Sequence, residues 1–260
     1  MRDDLISGLF PVHGADIDPV AMARRDLQKK WPKRFYKSAV VELRDGAHTL
    51  LLDGRAAKTP ARNILAVPNL DVAQALAAEW NGQEEVVNPL KMPLTRLVNS
   101  ALDGVSNEQD AVRAEIVRFS GSDLVCYRAE RPDTLVQEQA EAWDPVLAFA
   151  KQAFDADFHV VAGVMHKAQP PQTMAKLEAE IARFDDALKL AALNVMTTLS
   201  GSALIALAVA HRHFDVETAF AVAHVDEDYQ ARLWGADDEA LERRTLRKRD
   251  FEIAAFVLLS

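Results

Sequence analysis

The hydrophobic period of this chain changes once, at Pro68-Asn69, and that change sets the order of its elements. Before it, apolar and polar residues alternate loosely, as on a half-buried strand; after it, apolar residues recur every three or four positions, as on a helix. Aromatic and β-branched residues alternate with polar ones from Phe35 to Leu43, and Asp45-Gly46 then supplies a tight turn. Thr49 to Asp53 reads as the return strand, Asp53-Gly54 as a second turn, and Ile64 to Val67 as the end of a small antiparallel meander.

Beyond the change, Asn69 is placed to cap a helix carrying Leu70, Val72, Ala73, Leu76, Ala77 and Trp80 on its apolar face. Asn107 with Asp110 opens a helix over Ala111–Phe119, and Asp133 opens one running toward Phe154. Met174, Leu177, Ile181 and Phe184 form one stripe, and Ala187 to Ala210 is apolar on most sides, which predicts burial. Gly201 leaves open whether that stretch is one helix or two. Asp215–Leu233 and Asp237–Leu259 complete the chain, separated at Trp234-Gly235. The fold class expected is α+β, a small β-rich N-terminal domain over residues 1–85 followed by a larger all-helical domain over 86–260. The join is expected within Gly82–Pro93, where Asn, Gly, Gln and Pro cluster.

Hydrophobic residues make up 49% and charged residues 27%, so a packed core is expected throughout, apart from roughly the first twenty residues. A net charge of -9 counts against nucleic acid as a partner, because affinity for a polyanion comes from Lys and Arg. The basic run Arg243–Arg249 reads instead as a solvated helix face near a helix end. Cys126 is the single cysteine, which excludes an intrachain disulfide and a Cys-based zinc site and suits a reducing compartment. Met1–Phe10 carries Asp3 and Asp4 and has neither the apolar run of a secretory signal nor the Arg and Ser of a transit peptide. No stretch has the length of a membrane span, and a cytoplasmic location is expected.

Motifs for chemistry are sparse. There is no G-x-x-x-x-G-K-[ST] and no G-x-G-x-x-G to cradle phosphate, so no nucleotide cofactor is expected. His211, His213, His224, Asp226 and Asp228 offer metal-binding side chains, and a metal-dependent hydrolase built on them is the alternative reading. Their spacing is poor, since no His-Glu-x-x-His pair places two ligands on one helix face. Ser200-Gly201-Ser202 lacks a nucleophile elbow, and Cys126 beside Tyr127 reads as a small core residue. Catalytic residues and metal ligands are therefore expected to be absent.

The blocks along the chain resemble, in order, the assembly chaperones of the F(1) sector of ATP synthase that handle the alpha subunit. They are Lys33-Arg34-Phe35-Tyr36-Lys37, Leu52-Asp53-Gly54-Arg55, Lys58-Thr59-Pro60, Ala78-Glu79-Trp80 with Gln83, and Met92-Pro93-Leu94-Thr95-Arg96-Leu97. Further on come Asp123-Leu124-Val125-Cys126-Tyr127-Arg128, Gln139 with Trp143-Asp144-Pro145, Gly201-Ser202-Ala203-Leu204, and Asp226-Glu227 through Gln230 to Trp234-Gly235. After Gly235 the chain departs from mitochondrial members, with Ala236-Asp237-Asp238-Glu239 where those carry a Trp and a His.

The resemblance implies a chaperone that needs no cofactor, binds the unassembled F(1) alpha subunit and covers the surface destined for the beta subunit. It also points to acidic residues near the C-terminus, so Glu239, Asp226 and Glu227 are candidates for partner binding. Trp80 and Arg96 join them with a second reading each, Trp80 as a core aromatic and Arg96 as one half of a structural salt bridge. Nothing suggests a coiled coil or a strand-edge dimer, and a monomer is expected.

Overall fold

The computed structural model describes residues 31–163, 165–235 and 237–260, and the expectations for Met1–Phe10 and the first twenty or so residues lie outside them. The fold is the expected one, a small sheet near the N-terminus followed by helices. Backbone contacts group the chain into two compact units, one ending at Asn107 and the other spanning Glu108–Leu259. The expected join at residues 85/86 falls inside the first of these.

In the first unit, β1 (Ala39–Arg44) and β2 (Ala47–Leu52) pair antiparallel from Ala39↔Leu52 to Arg44↔Ala47. The two turn residues, Asp45 and Gly46, both have positive φ, the geometry that twists with the strands and that Asp-Gly adopts at little cost. Asp53-Gly54 repeats it between β2 and β3 (Arg55–Ala56). β4 (Ala66–Val67) pairs with the start of β2, so β2 lies between β1 on one side and β3 with β4 on the other. Leu50, Leu51 and Leu52 are consequently buried in succession rather than alternately.

The first strand begins four residues later than Phe35, because the preceding segment is held differently. Arg34 N–H donates to the Glu85 carbonyl at 2.8 Å and Val87 N–H to the Pro32 carbonyl at 2.9 Å. The Arg34 guanidinium donates to the carbonyls of Tyr36, Lys37, Asn81 and Gln83. Helix α1 (Leu70–Asn81) starts on the predicted cap, Asn69 accepting from Asp71 and Val72 N–H, and lays Val72, Ala73, Leu76 and Trp80 on the sheet. At its far end Asn81 imitates a neighbouring strand, accepting from Ala39 N–H at 2.9 Å and donating to the Ala39 carbonyl at 2.7 Å. Helix α2 (Pro93–Asp103) packs against α1 through Leu94, Leu97 and Val98.

The second unit is helical apart from a two-stranded parallel pair, β5 (Tyr127–Arg128) with β6 (Val161–Ala162). Its helices are α3 (Gln109–Ser120), α4 (Asp133–Phe154), α5 (Pro171–Ile181), α6 (Ala187–Ser200), α7 (Ala203–Ala210), α8 (Val216–Ala223), α9 (Val225–Trp234) and α10 (Asp238–Leu259). The apolar stretch resolves into two helices at Gly201, whose φ of 71° lets the chain reverse between α6 and α7. α7 is buried from Ala203 to Val209, and α3, α4, α6, α8 and α10 all pack on it. It is the core of this unit.

Three expectations need correction. The helix expected from Asn107 begins at Gln109, after a separate 3-10 turn that ends at Asn107. The stretch Asp215–Leu233 is two helices, broken at His224 without glycine or proline. The basic run Arg243–Arg249 lies in the middle of α10, so the helix dipole does not account for it. No helix among the described residues is long and apolar enough to cross a membrane.

Candidate functional site

Two carboxylates organise the interior, one in each unit. In the first unit Glu79 sits in the last turn of α1 and reaches the N-terminus of α2. It accepts from Leu94 N–H at 2.9 Å, Thr95 N–H at 2.8 Å and the Thr95 hydroxyl at 2.5 Å. Because Met92 provides no side-chain cap, Glu79 does that work from a distance, and its charge suits the positive end of the helix. Burial pushes its pKa up; the bonds from Thr95 and Leu94 and the charge of Arg96 act the other way. Gln83 completes the bracket, accepting from Asn88 N–H at 2.8 Å while donating to the Glu79 carbonyl at 3.1 Å.

Trp80, next in sequence, is 1% exposed, with its ring 5.4 Å from that of Tyr36 and its carbonyl accepting from the Tyr36 hydroxyl at 2.6 Å. Arg96 is half-buried on α2. The Ala78–Trp80 and Met92–Leu97 blocks are thus two halves of one helix-to-helix bracket.

In the second unit Asp123 is fully buried at the turn between α6 and α7. It accepts from Leu204 N–H at 3.1 Å and Val125 N–H at 3.3 Å, and Ser202 and Ala203 bond to it as well. Burial raises its pKa to about 6 in spite of those bonds. Cys126 beside it is buried, and burial, with the nearby Asp123, pushes its thiol up and away from reactivity.

Arg128 extends the network: its guanidinium donates to the carbonyls of Val125 and Gln139, meets Asp144 at 2.8 Å and lies over the Trp143 ring. Gln139 accepts from Ala129 N–H at 2.7 Å and donates to Asp226 at 2.7 Å, and Trp143, 1% exposed, donates to the Val222 carbonyl at 2.8 Å.

The candidate acidic residues are not brought together. Asp226 and Glu227 begin α9, Asp226 half-buried on Gln139 and Glu227 exposed, 3.2 Å from Arg247 and 3.5 Å from His224. Glu239 stands exposed at the start of α10, paired with Arg243 one turn on. Asp228 holds Arg244 through both guanidinium nitrogens, at 2.5 and 2.9 Å, and Glu217 holds Lys248 at 2.8 Å. The basic run is therefore paired with acids of α8, α9 and its own helix rather than presented to a ligand.

The His and Asp residues behind the hydrolase alternative are not gathered into one site. His211 meets Glu180 at 2.8 Å between Phe149 and Phe154, and His213 stacks on Phe149. His224 is buried against the Phe220 ring and bonded to the Phe220 carbonyl, and its burial lowers its pKa. Among the described residues no group of three or more His, Cys, Asp or Glu is placed to hold a metal.

Sequence reasoning passed over Glu79, Asp123, Gln139 and Arg128. Their recurrence inside the resembling blocks was the available signal, but Glu79 and Asp123 reach partners 15 and 81 residues away, which no local pattern encodes.

The same blocks carry the similarity to known proteins. The family model described as ATP12 chaperone protein matches residues 33–151. The mitochondrial protein atp12 of Schizosaccharomyces pombe is 24% identical over 226 residues, 81% of this chain and 76% of that one. Among solved structures, the Atu1473 protein of Agrobacterium tumefaciens is 45% identical with a TM-score of 0.86, covering 99% of this chain and 96% of that one. Atp12 from Paracoccus denitrificans is 37% identical with a TM-score of 0.81, covering 88% of this chain and 99% of that one. With such identity over nearly the whole of the Paracoccus structure, this chain belongs to the ATP12 chaperone family.

Proposed function

We propose that this protein is an assembly chaperone for the F(1) sector of ATP synthase. It binds the free alpha subunit and shields the surface destined for the beta subunit until the hexamer forms, without hydrolysing nucleotide. The observation that carries this reading is the similarity to Atp12 of Paracoccus denitrificans across 99% of that chain. The geometry agrees, because the ionisable groups that the fold buries, Asp123, Glu180 and His224, are each engaged by neighbouring parts of the fold, as is the largely buried Glu79. None is poised toward a substrate.

The subunit surface to be covered is apolar and extensive in an obligate assembly, so its protector needs apolar contacts with a polar rim. Of the candidate residues, Glu239 is the contact residue in this reading. Asp226 and Glu227 position α9, while Trp80 and Arg96 maintain the bracket around Glu79. The chaperone acts as a monomer in the cytoplasm, and release follows when the larger alpha–beta contact displaces it.

Capture experiments with separately produced F(1) alpha and beta test this. The protein should retain alpha, fail to retain beta, and lower the light scattering of alpha as it is diluted from denaturant. Retention of beta alone, or of neither while alpha stays soluble, would contradict it.

A further inference from the structure

Among the described residues β1 has a neighbouring strand on one side only. It pairs with β2 in unbroken register from Ala39↔Leu52 to Arg44↔Ala47 and ends the strand order of its sheet. In an antiparallel pair, successive residues turn their backbone N–H and C=O alternately toward the partner strand and away from it. The Asn81 amide shows which residues of β1 turn away, because it bonds both the N–H and the C=O of Ala39. Val41 and Leu43 share that direction, and no described residue bonds their backbone groups there. The edge is closed at Ala39 by a side chain and open from Val41 to Arg44.

Sheet edges are ordinarily blunted by proline, by a bulge or by charged side chains. The open stretch has no proline, and its register contains no bulge. Its two charges, Glu42 and Arg44, pair with each other at 2.9 Å. Leu43 is 63% exposed and Val40 49%, so the edge is apolar as well as open. Side chains alternate between faces along a strand, which puts Val41 and Leu43 on one face and Glu42 and Arg44 on the other.

Free N–H and C=O groups at strand spacing are satisfied by another extended backbone, as when a peptide adds a strand to a sheet. A second copy joined through this edge alone is disfavoured by size. The open stretch offers four residues, against the roughly 20–30 that each side of a stable complex contributes. A client already held by other contacts does not face that limit. We infer that the β1 edge is a docking strand, beside which an extended segment of the unassembled client adds as a further strand along Val41–Arg44. The segment carries apolar side chains beside Val41 and Leu43, and on its other face a cation beside Glu42 and an anion beside Arg44. The inference rests on the reading that the client is the free alpha subunit.

The test uses the whole protein and purified F(1) alpha. Hydrogen exchange is followed residue by residue in the unaltered protein, free and bound to alpha. In the free protein the Val41 and Leu43 amides should exchange faster than those of Val40 and Glu42, which face β2, and in the complex they should slow by about tenfold or more. Leu43→Pro removes an outward N–H at an edge position where a sheet tolerates proline, so urea unfolding should stay near wild type while alpha capture falls about tenfold. Glu42→Arg/Arg44→Glu keeps the pair on β1 but inverts its order, and should weaken capture more at low salt than at high salt. Should Leu43→Pro fail to fold, the exchange measurement on the unaltered protein decides alone. Val41 and Leu43 amides that keep their free exchange rates in the alpha complex overturn the docking strand and leave the chaperone reading standing. Failure of the unaltered protein to capture alpha overturns both. Slowing of the same amides with rising protein concentration, in the absence of alpha, would assign the edge to a second copy and also overturn the inference.

Discussion

Carboxylates in the interior and carboxylates on α9 and α10 behave differently. Glu79 and Asp123 each receive several hydrogen bonds at the N-terminus of a helix, Glu79 where Met92 gives α2 no side-chain cap and Asp123 beside the Ser202 cap of α7, and burial raises the pKa of both. Glu227, Asp228 and Glu239 instead meet guanidinium groups at partly open positions. The first kind fixes the path of the chain; the second pairs with the cations of α10. A buried carboxylate with a raised pKa can signal acid–base chemistry, but here its hydrogen bonds run into backbone amides and its work is structural.

Substitutions inside and outside should therefore separate by size. The largest effect is expected from Trp80→Ala, which empties a fully buried site beside the Glu79 bracket and should cost about 3–5 kcal/mol in urea unfolding. A cost below about 1 kcal/mol would mean that Trp80 is not a packing residue in solution.

Asp123 makes a prediction with a definite sign. Its folded pKa, about 6, lies above its ordinary value, so the native state holds this proton more tightly than the unfolded chain. Its stabilising contribution is complete below pH ~4 and falls by about 1.4 kcal/mol per unit until pH ~6, close to 3 kcal/mol in all. Wild-type stability measured relative to Asp123→Asn should fall across that window. A flat difference from pH 4 to 7 would show that the carboxyl is not buried as described.

Glu79→Gln retains one acceptor but removes the charge and one lone-pair set from the start of α2, at an expected cost of about 1–2 kcal/mol. Arg244→Ala, on α10, should cost less than about 1 kcal/mol, as partly exposed ion pairs usually do. A larger loss there would place the ion pairs of α9 and α10 among the stabilising interactions and blur that contrast.

Much of the chain's path was legible in the sequence because local chemistry decides it. Asp45-Gly46 and Asp53-Gly54 announce hairpins since both positions of such a turn need positive φ, and Asn69 marks the start of α1 by bonding its first free amides. The break at His224 was hidden, since what stops the helix is a buried imidazole bonded back to Phe220 rather than a glycine or proline. The unit boundary was equally hidden: Gly82–Pro93 has loop composition, yet Glu79 ties α2 back across it.

The candidate site was legible only in part. The family resemblance pointed to acidic residues near the C-terminus, but nothing local told that Asp226 is engaged by Gln139 or that Glu239 sits one helix away from it. Trp234 looked like punctuation between two helices. Its exposure, 78%, is visible only in the structure.

The central claim is that this protein holds alpha in place of beta, and a displacement experiment tests it most directly. A preformed complex of this protein with alpha, mixed with beta and separated by size, should yield alpha–beta assemblies and the free chaperone. A stable complex containing this protein, alpha and beta together would contradict the claim, because the shielded surface could not then be the one that beta uses.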